Sequence, residues 1–286
     1  MRYYYAFGFY IESDIIFPEL ISVEKKEIDC LVTIKQDIIS DVMVQASRFS
    51  TTKKNAEQLY LRIPSVANFC ITAGNTIRYC STASTDQNTL RLFLLSSCMG
   101  ALLQQRGYIV LHGNAISFDH QRSTVFVGDS GAGKSTMAAF YYQQGSIILA
   151  DDVCAITFNA QGVPQVIPSY PQLKLWKKSA DLLNIETKSL RPIRSKIEKF
   201  ALPIDHQFAT APMVISDIVE IVTDQPAINV VHGSNKLDLL MRHSYRPHFL
   251  KRMMIRGIYI QRLMTLASQV TISKKKRLVI DNACAK

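Results

Sequence analysis

The sequence has no pair of cysteines spaced like a redox motif or a metal knuckle. Its six cysteines, Cys30, Cys70, Cys80, Cys98, Cys154 and Cys284, include no C-x-x-C, and most sit inside apolar runs. That pattern argues against a disulfide scaffold and predicts reduced core thiols in a cytoplasmic protein. His120, His206, His232, His243 and His248 fall at no metal-binding spacing. Long hydrophobic runs are also missing. The longest, Leu92 to Leu103, contains Ser96 and Ser97 and is closed by Gln104-Gln105-Arg106, short of a membrane span. The opening Met1-Arg2-Tyr3-Tyr4-Tyr5-Ala6-Phe7 is too polar and too aromatic for a signal peptide, and Glu12 and Asp14 follow soon after. No membrane partner is expected.

Acidic residues are scarce in one part of the chain. Before residue 170 there are 13 Lys+Arg and 14 Asp+Glu; from residue 170 onward there are 20 and 9. The net charge of +10 therefore belongs to the C-terminal part. It is either a solvated helical face or a dock for an acidic protein or peptide. Nucleic acid is the weaker partner, because no recognised binding motif accompanies the charge. The 286 residues suffice for one large domain or two small ones, and 48% hydrophobic with 20% charged residues is the composition of a globular protein with a sizeable core.

Against these absences stands one complete motif. Gly128-Asp129-Ser130-Gly131-Ala132-Gly133-Lys134-Ser135-Thr136 fits G-x-x-x-x-G-K-[ST] without a mismatch. Ser123 to Val127 before it reads as a short buried strand. Thr136 to Tyr142 after it reads as a helix stopped by Gly145. A strand, a glycine-rich loop and a helix N-terminus make an anion cradle, with backbone N–H groups and the helix dipole turned to the phosphates of ATP. Lys134 reaches the outer phosphates and the Ser135 hydroxyl ligates Mg²⁺ in this pattern. A glycine turn that binds nothing is the bland alternative, and a chance match would lack such flanks.

Downstream, Ile147-Ile148-Leu149-Ala150-Asp151-Asp152 is an apolar strand ending in two carboxylates. Such a strand delivers an acid to the metal beside the γ-phosphate. Adjacent side chains at a strand end point to opposite sides, so the two acids can serve two jobs. One is expected to hold Mg²⁺ through water and the other to take the proton of an incoming hydroxyl. A surface turn capping the strand is the alternative.

The other segments are read more coarsely. Tyr3 to Ile11, Ile28 to Ile34, Val42 to Phe49, Gln58 to Ile63, Ala67 to Ile71 and Thr76 to Cys80 are strand-like. Thr89 to Gln105 is a buried helix stopped by Gly107. Tyr108 to Leu111 is a strand ending in His112-Gly113-Asn114, and Ala115 to Phe118 continues as strand before a turn at Asp119 to Arg122. Val153 to Phe158, Pro164 to Ile167 and Ile218 to Val222 are further strands. Leu173-Lys174-Leu175-Trp176 leads to a helix through Leu183. Arg191 to Lys196 is a basic loop, either a phosphate or substrate clamp or a solvated linker. Asn235 to Arg242 is a helix. Pro247 opens a long amphipathic helix to about Ser268. Lys274 to Arg277 precedes a last strand, Leu278 to Ile280.

Taken together, His112-Gly113, the Gly128–Thr136 loop and Leu149-Ala150-Asp151-Asp152 resemble the catalytic domain of HPr kinase/phosphorylase. Its members carry a strand ending in His-Gly, a Gly-Asp-Ser-Gly-x-Gly-Lys-Ser loop and a strand ending in Ala-Asp-Asp. The resemblance implies that His112 is an active-site residue. It also implies that Lys134 and Ser135 are the loop lysine and serine, and that Asp152 is the catalytic base, which leaves Asp151 beside Ser135 for Mg²⁺. The family's later glycine-rich signature, with its metal-binding Glu and active-site Arg, has no counterpart here. Three other stretches are similar to the HPr-kinase-like proteins of lasso-peptide biosynthesis clusters, which phosphorylate a serine of a precursor peptide. They are Tyr5-Ala6-Phe7-Gly8 with Phe17-Pro18-Glu19-Leu20, Pro168 to Trp176, and Tyr245-Arg246-Pro247-His248-Phe249-Leu250.

The expected fold is α/β, a P-loop kinase domain over 89–286 with an HPr-kinase-like sheet, preceded by a β-rich accessory domain over 1–88. The expected function is an ATP- and Mg²⁺-dependent serine kinase acting on an acidic peptide or small protein. A homo-oligomer is possible. The alternatives are a P-loop ATPase that drives assembly or transport, and a kinase acting on HPr itself.

Overall fold

The aromatic N-terminal run folds back on itself instead of forming one strand. β1 (Arg2–Ala6) and β2 (Phe9–Ser13) pair antiparallel. Phe7 and Gly8 between them both have positive φ, 55° and 77°, the left-handed pair whose twist suits a two-residue hairpin. Phe7 tolerates that conformation because its side chain is fully buried against Tyr170 and its N–H donates to Ser169 O at 3.1 Å. The computed structural model describes residues 1–26, 31–39, 49–52, 55–195, 197–223 and 229–277, with 49–52 and 55–57 as backbone only.

The hairpin belongs to an eight-stranded sheet. After β3 (Ile21–Ser22) come β4 (Leu31–Gln36), β5 (Phe49–Thr52), β6 (Asn55–Ile63), β7 (Ala67–Thr72) and β8 (Thr76–Ser81), in spatial order β3-β1-β2-β4-β8-β7-β6-β5. Of the strands expected at Ile28 to Ile34 and Val42 to Phe49, residues 28–30 and 42–48 lie outside the described residues. The expected helix begins slightly early, because Asp86 caps it by accepting the Thr89 N–H at 3.1 Å. It runs as α1 (Gln87–Phe93), a π-helical turn over Leu94–Cys98, and α2 (Met99–Gln105).

β9 (Ile109–Ser117) and β10 (Arg122–Val127) lead to the loop and α3 (Lys134–Gln143). Then come β11 (Ile147–Phe158), β12 (Pro164–Ile167), β13 (Gln172–Trp176), α4 (Lys177–Leu182), β14 (Lys199–Pro203), β15 (Met213–Val222) and β16 (Asn229–Val230). The chain closes with α5 (Ser234–Arg242), α6 (Pro247–Arg252), α7 (Arg256–Gln269) and β17 (Thr271–Lys276). The second sheet has the order β10-β9-β11-β12-β15-β17-β16, and β10 also pairs parallel with β15. The five strands β10, β9, β11, β12 and β15 thus close on themselves. β13 and β14 form a separate two-stranded ribbon.

Four expectations change here. His112-Gly113-Asn114 and Asp151-Asp152 do not end strands; each lies inside a continuous one, β9 and β11, paired along their length. The long helix after Pro247 is two helices. Met254 takes φ 59°, and the Ile255 N–H reaches back to Leu250 O and the Met254 N–H to Lys251 O, the left-handed cap that ends a helix. Lys274 to Lys276 belong to β17 instead of preceding a strand, and the strand expected at Leu278 to Ile280 lies outside the described residues.

The first core cluster joins the eight-stranded sheet to the α1–α2 helix and to Val110, Val153, Ile167, Tyr245 and Phe249. A second buries the other side of the closed strands under α5 and α7, and a third lies beneath α3 against Leu173, Leu175 and Ala180. No helix among the described residues is long and apolar enough to cross a membrane.

Candidate active site

The site forms where three strands bring their polar residues to one side of α3. β10 delivers the loop. Gly133 stands at the head of α3 with φ 99°, and a Cβ there would come 3.2 Å from Nε of Arg277. Lys134 is buried and folds back over the loop. Its Nζ donates to Gly128 O at 2.6 Å and to Asp129 O at 3.1 Å. Burial pulls its ammonium below the usual lysine range, and Asp152, Asp151 and Asp129 oppose that pull. Thr136 Oγ1 and Ser179 Oγ, 2.7 Å apart, tie the start of α3 to α4.

β9 and β11 supply the other half. Asp151 pairs with Asn114 and Asp152 with Gly113 in the ladder. Gly113 is required there, since a Cβ would lie 2.4 Å from Phe126 O on β10. Asp151 is 3% exposed. Its Oδ1 accepts from Asn114 Nδ2 at 2.6 Å and from Ser135 Oγ at 3.5 Å, and its Oδ2 accepts the Lys174 backbone N–H at 2.9 Å. Asp152 has φ 72°, a left-handed conformation inside a strand, costing on the order of 1–3 kcal/mol.

That backbone turn corrects the expected divergence of the two acids. They do not serve opposite sides. Lys174 Nζ lies 3.8 Å from Asp151 Oδ2 and 3.4 Å from Asp152 Oδ2. Lys174 comes from β13 and is 4% exposed. Burial disfavours its charge, but Tyr170, Asp152 and Asp151 outweigh it and keep the ammonium protonated. The remaining Oδ1 of Asp152 faces His112 Nδ1 at 3.0 Å. Burial works against ionisation of Asp152, yet Lys174, His112 and Lys199 hold its carboxyl well below the usual range. An ionised carboxylate only accepts, so Nδ1 of His112 carries the hydrogen and Nε2 is left as the second ring nitrogen.

Two clefts meet at this pair. A small one of about 140 Å³ runs along the loop past Gly131, Lys134, Ser135 and Asp151 to Arg277. A wider one of about 620 Å³ opens past Leu92, Lys174, Arg194 and Arg246. His112, Ser130, Asp152, Trp176 and Lys199 line both.

The structure thus brings together Lys134, Ser135, Asp151, Asp152, His112 and the loop from Gly128 to Thr136. Sequence reasoning missed Lys174, Asn114 and Arg277. It also left His243 without a role. His243 Nε2 and Arg242 both lie 2.7 Å from Oε1 of the buried Glu220, with Lys274 at 3.5 Å from its Oε2. The backbone O of His243 accepts the His112 N–H at 2.8 Å, so this charged cluster helps to seat His112. The one signal for Lys174 was a lone charge in an apolar run, Leu173-Lys174-Leu175. Of the basic loop, Arg191 is tied down by Glu19 at 2.8 Å and Gln172 at 3.0 Å, while Arg194 lines the cleft. Residue 196 lies outside the described residues.

Among the described residues no three His, Cys, Asp or Glu side chains cluster to hold a metal. Ser135 and Asp151 still fit Mg²⁺, which is commonly held by one or two protein oxygens plus substrate phosphates.

No protein-family model matches the chain, and no curated protein matches it. A solved structure similar to it is the HPr(Ser) kinase/phosphatase from Coxiella burnetii, at TM-score 0.31 and 12% identity, covering 52% of this chain and 94% of that one. What the site does rests on its own geometry.

Proposed function

We propose that this chain is an ATP-dependent serine kinase that transfers the γ-phosphoryl group to a Ser hydroxyl of a precursor peptide or small protein. The observation that carries the reading is the position of Asp152 and His112, at the junction of the loop cleft and the wider cleft. In this reading nucleotide phosphates lie along Gly128 to Thr136 and the acceptor enters the wider cleft. Ser135 and Asp151 would hold Mg²⁺, which neutralises phosphate charge. Lys134 leaves the loop carbonyls for the outer phosphates.

The hydroxyl oxygen forms its bond to phosphorus, the bond to the ADP oxygen breaks, and the hydroxyl proton passes to Asp152. A carboxyl held well below its usual range is always in the accepting form at neutral pH. Such a group is a weak base, but a loose phosphoryl-transfer transition state asks mainly for orientation of the nucleophile and for compensation of charge. His112 orients Asp152.

The stretches similar to lasso-peptide kinases favour a precursor peptide over HPr as acceptor. The same proposal takes residues 1–88 as an accessory β-rich unit and 89–286 as the catalytic part. A P-loop ATPase is the second reading. It needs a water-positioning group and commonly an arginine supplied in cis or by a partner; Arg277, lining the loop cleft, is the residue that favours it. Mass spectrometry of serine-containing peptides incubated with the chain, ATP and Mg²⁺ separates the two. Kinase action gives a mass gain of one phosphoryl group on serine; hydrolysis of ATP with every peptide unmodified would reject it.

A further inference from the structure

Five side chains that carry positive charge line the wider cleft: Lys174, Arg194, Lys199, Arg242 and Arg246. Two of them are neutralised inside the protein, Lys174 by Asp151 and Asp152 and Arg242 by Glu220. Arg194, Lys199 and Arg246 have no carboxylate within ion-pair distance among the described residues, and Lys199 acts on Asp152 only from farther away. The one acid on the wall outside those pairings is Asp129, in the nucleotide loop.

Two of these three cations, Lys199 and Arg246, lie against aromatic rings, while Arg194 is exposed at the cleft wall. Lys199 Nζ lies 5.4 Å from the centre of the Trp176 ring, a cation–π position. The Arg246 guanidinium lies 5.6 Å from the Tyr245 ring and 6.0 Å from Phe249. Its Nε is buried with no hydrogen-bond partner. Arg246 is also in the left-handed region, with φ 44°. The Arg246 guanidinium at the cleft wall, charged and without a carboxylate beside it, suits an anion that enters that cleft.

We propose that Arg194, Lys199 and Arg246 form a carboxylate-reading subsite, so that the acceptor is a peptide segment with acidic residues beside its serine. The phosphorylated serine in this statement rests on the kinase reading; the subsite itself rests on the three cations without acid partners. Nucleotide phosphates are the other anion such groups could hold. Lys199 borders both clefts, but Arg194 and Arg246 border the wider one and not the loop cleft, which places them on the acceptor side. The apolar wall of Leu92, Phe93 and Ile193 suits an extended segment, and about 620 Å³ is room for a short stretch of one.

Fluorescence anisotropy on the full chain tests this with labelled peptides whose serine is replaced by alanine, so that no turnover occurs. The flanks are aspartate, asparagine or lysine. The aspartate peptide is expected to bind at least tenfold more tightly than the asparagine one. Arg194→Glu should turn the preference toward the lysine peptide. Arg246→Gln should weaken the aspartate peptide about tenfold while ATP affinity stays within twofold of wild type. Equal binding of the aspartate and asparagine peptides would overturn the subsite. So would loss of ATP in step with peptide in both variants, which would assign the cations to the nucleotide. Phosphorylation of the serine form is read separately: a tightly bound acidic peptide that gains no phosphoryl group leaves the subsite standing and removes the kinase reading.

Discussion

His112 Nδ1 lies 3.0 Å from Asp152 Oδ1, although the two residues are one position out of register on neighbouring strands. The contact exists because Asp152 leaves regular strand geometry, with φ 72°. In regular geometry its carboxylate would point away from that of Asp151. Instead the Oδ2 atoms of both acids reach Lys174, and their Oδ1 atoms part company. That of Asp151 turns to Asn114 and Ser135, that of Asp152 to His112. One buried ammonium thus holds two carboxylates in separate roles.

Lys174→Ala should destabilise the fold by about 3–5 kcal/mol at neutral pH, the cost of removing one partner from a buried ion cluster. Asp152 is held below its unfolded value, so it contributes stability that is present above pH ~4 and lost as pH falls through the folded value. Without Lys174 the Asp152 carboxyl takes up a proton more readily, so acid relieves the variant's penalty. Denaturant unfolding at pH 7 and pH 4 should therefore show the gap to wild type narrowing in acid. A variant that unfolds at the wild-type midpoint at both values would mean that the ammonium does not hold the acids.

In the proposed reading, Lys134→Ala removes the charge that follows the transferring phosphoryl group. Turnover with ATP and acceptor peptide should fall at least a hundredfold, on the order of 3 kcal/mol of transition-state stabilisation. Steady-state kinetics read this directly, and full phosphotransfer would rule out the loop as the nucleotide site.

How much of this was legible in the sequence varies by element. The glycine-rich loop was legible because its requirement is local: glycines, a lysine and a serine at fixed spacing. Asp151 and Asp152 were legible as residues but not as a geometry, since the left-handed turn at Asp152 is imposed by its neighbours. Lys174 was hidden because a single lysine between two leucines reads as an ordinary strand, and only the fold reveals what it faces. The break after α6 was hidden because Met254 fills a cap position where glycine is the usual signal. The first hairpin was hidden because Phe7-Gly8 lacks the Asn or Asp that marks such turns.

Ser135→Ala and Asp151→Asn should weaken the dependence on Mg²⁺ more than the affinity for nucleotide, because a phosphate cradle of this kind is mostly backbone N–H. Activity titrated against Mg²⁺ should show a raised half-saturation in both variants. Asp151→Asn also loses an acceptor for Asn114 and Lys174, so its unfolding should be monitored alongside. Unchanged Mg²⁺ curves for both would put the metal elsewhere.

The most direct test of the account is Asp152→Asn, measured three ways on one variant. The change keeps the shape and removes what the proposal takes as the acceptor for the serine proton. Equilibrium binding of ATP should stay close to wild type, because Asp152 is not a primary phosphate contact in this reading. Peptide phosphorylation should fall by roughly a hundred- to ten-thousandfold, the range for losing a general base. Background ATP hydrolysis without peptide should fall less, because water is not held by the acceptor geometry. Normal phosphorylation by Asp152→Asn would contradict the assignment of the proton to Asp152 and with it the proposed mechanism.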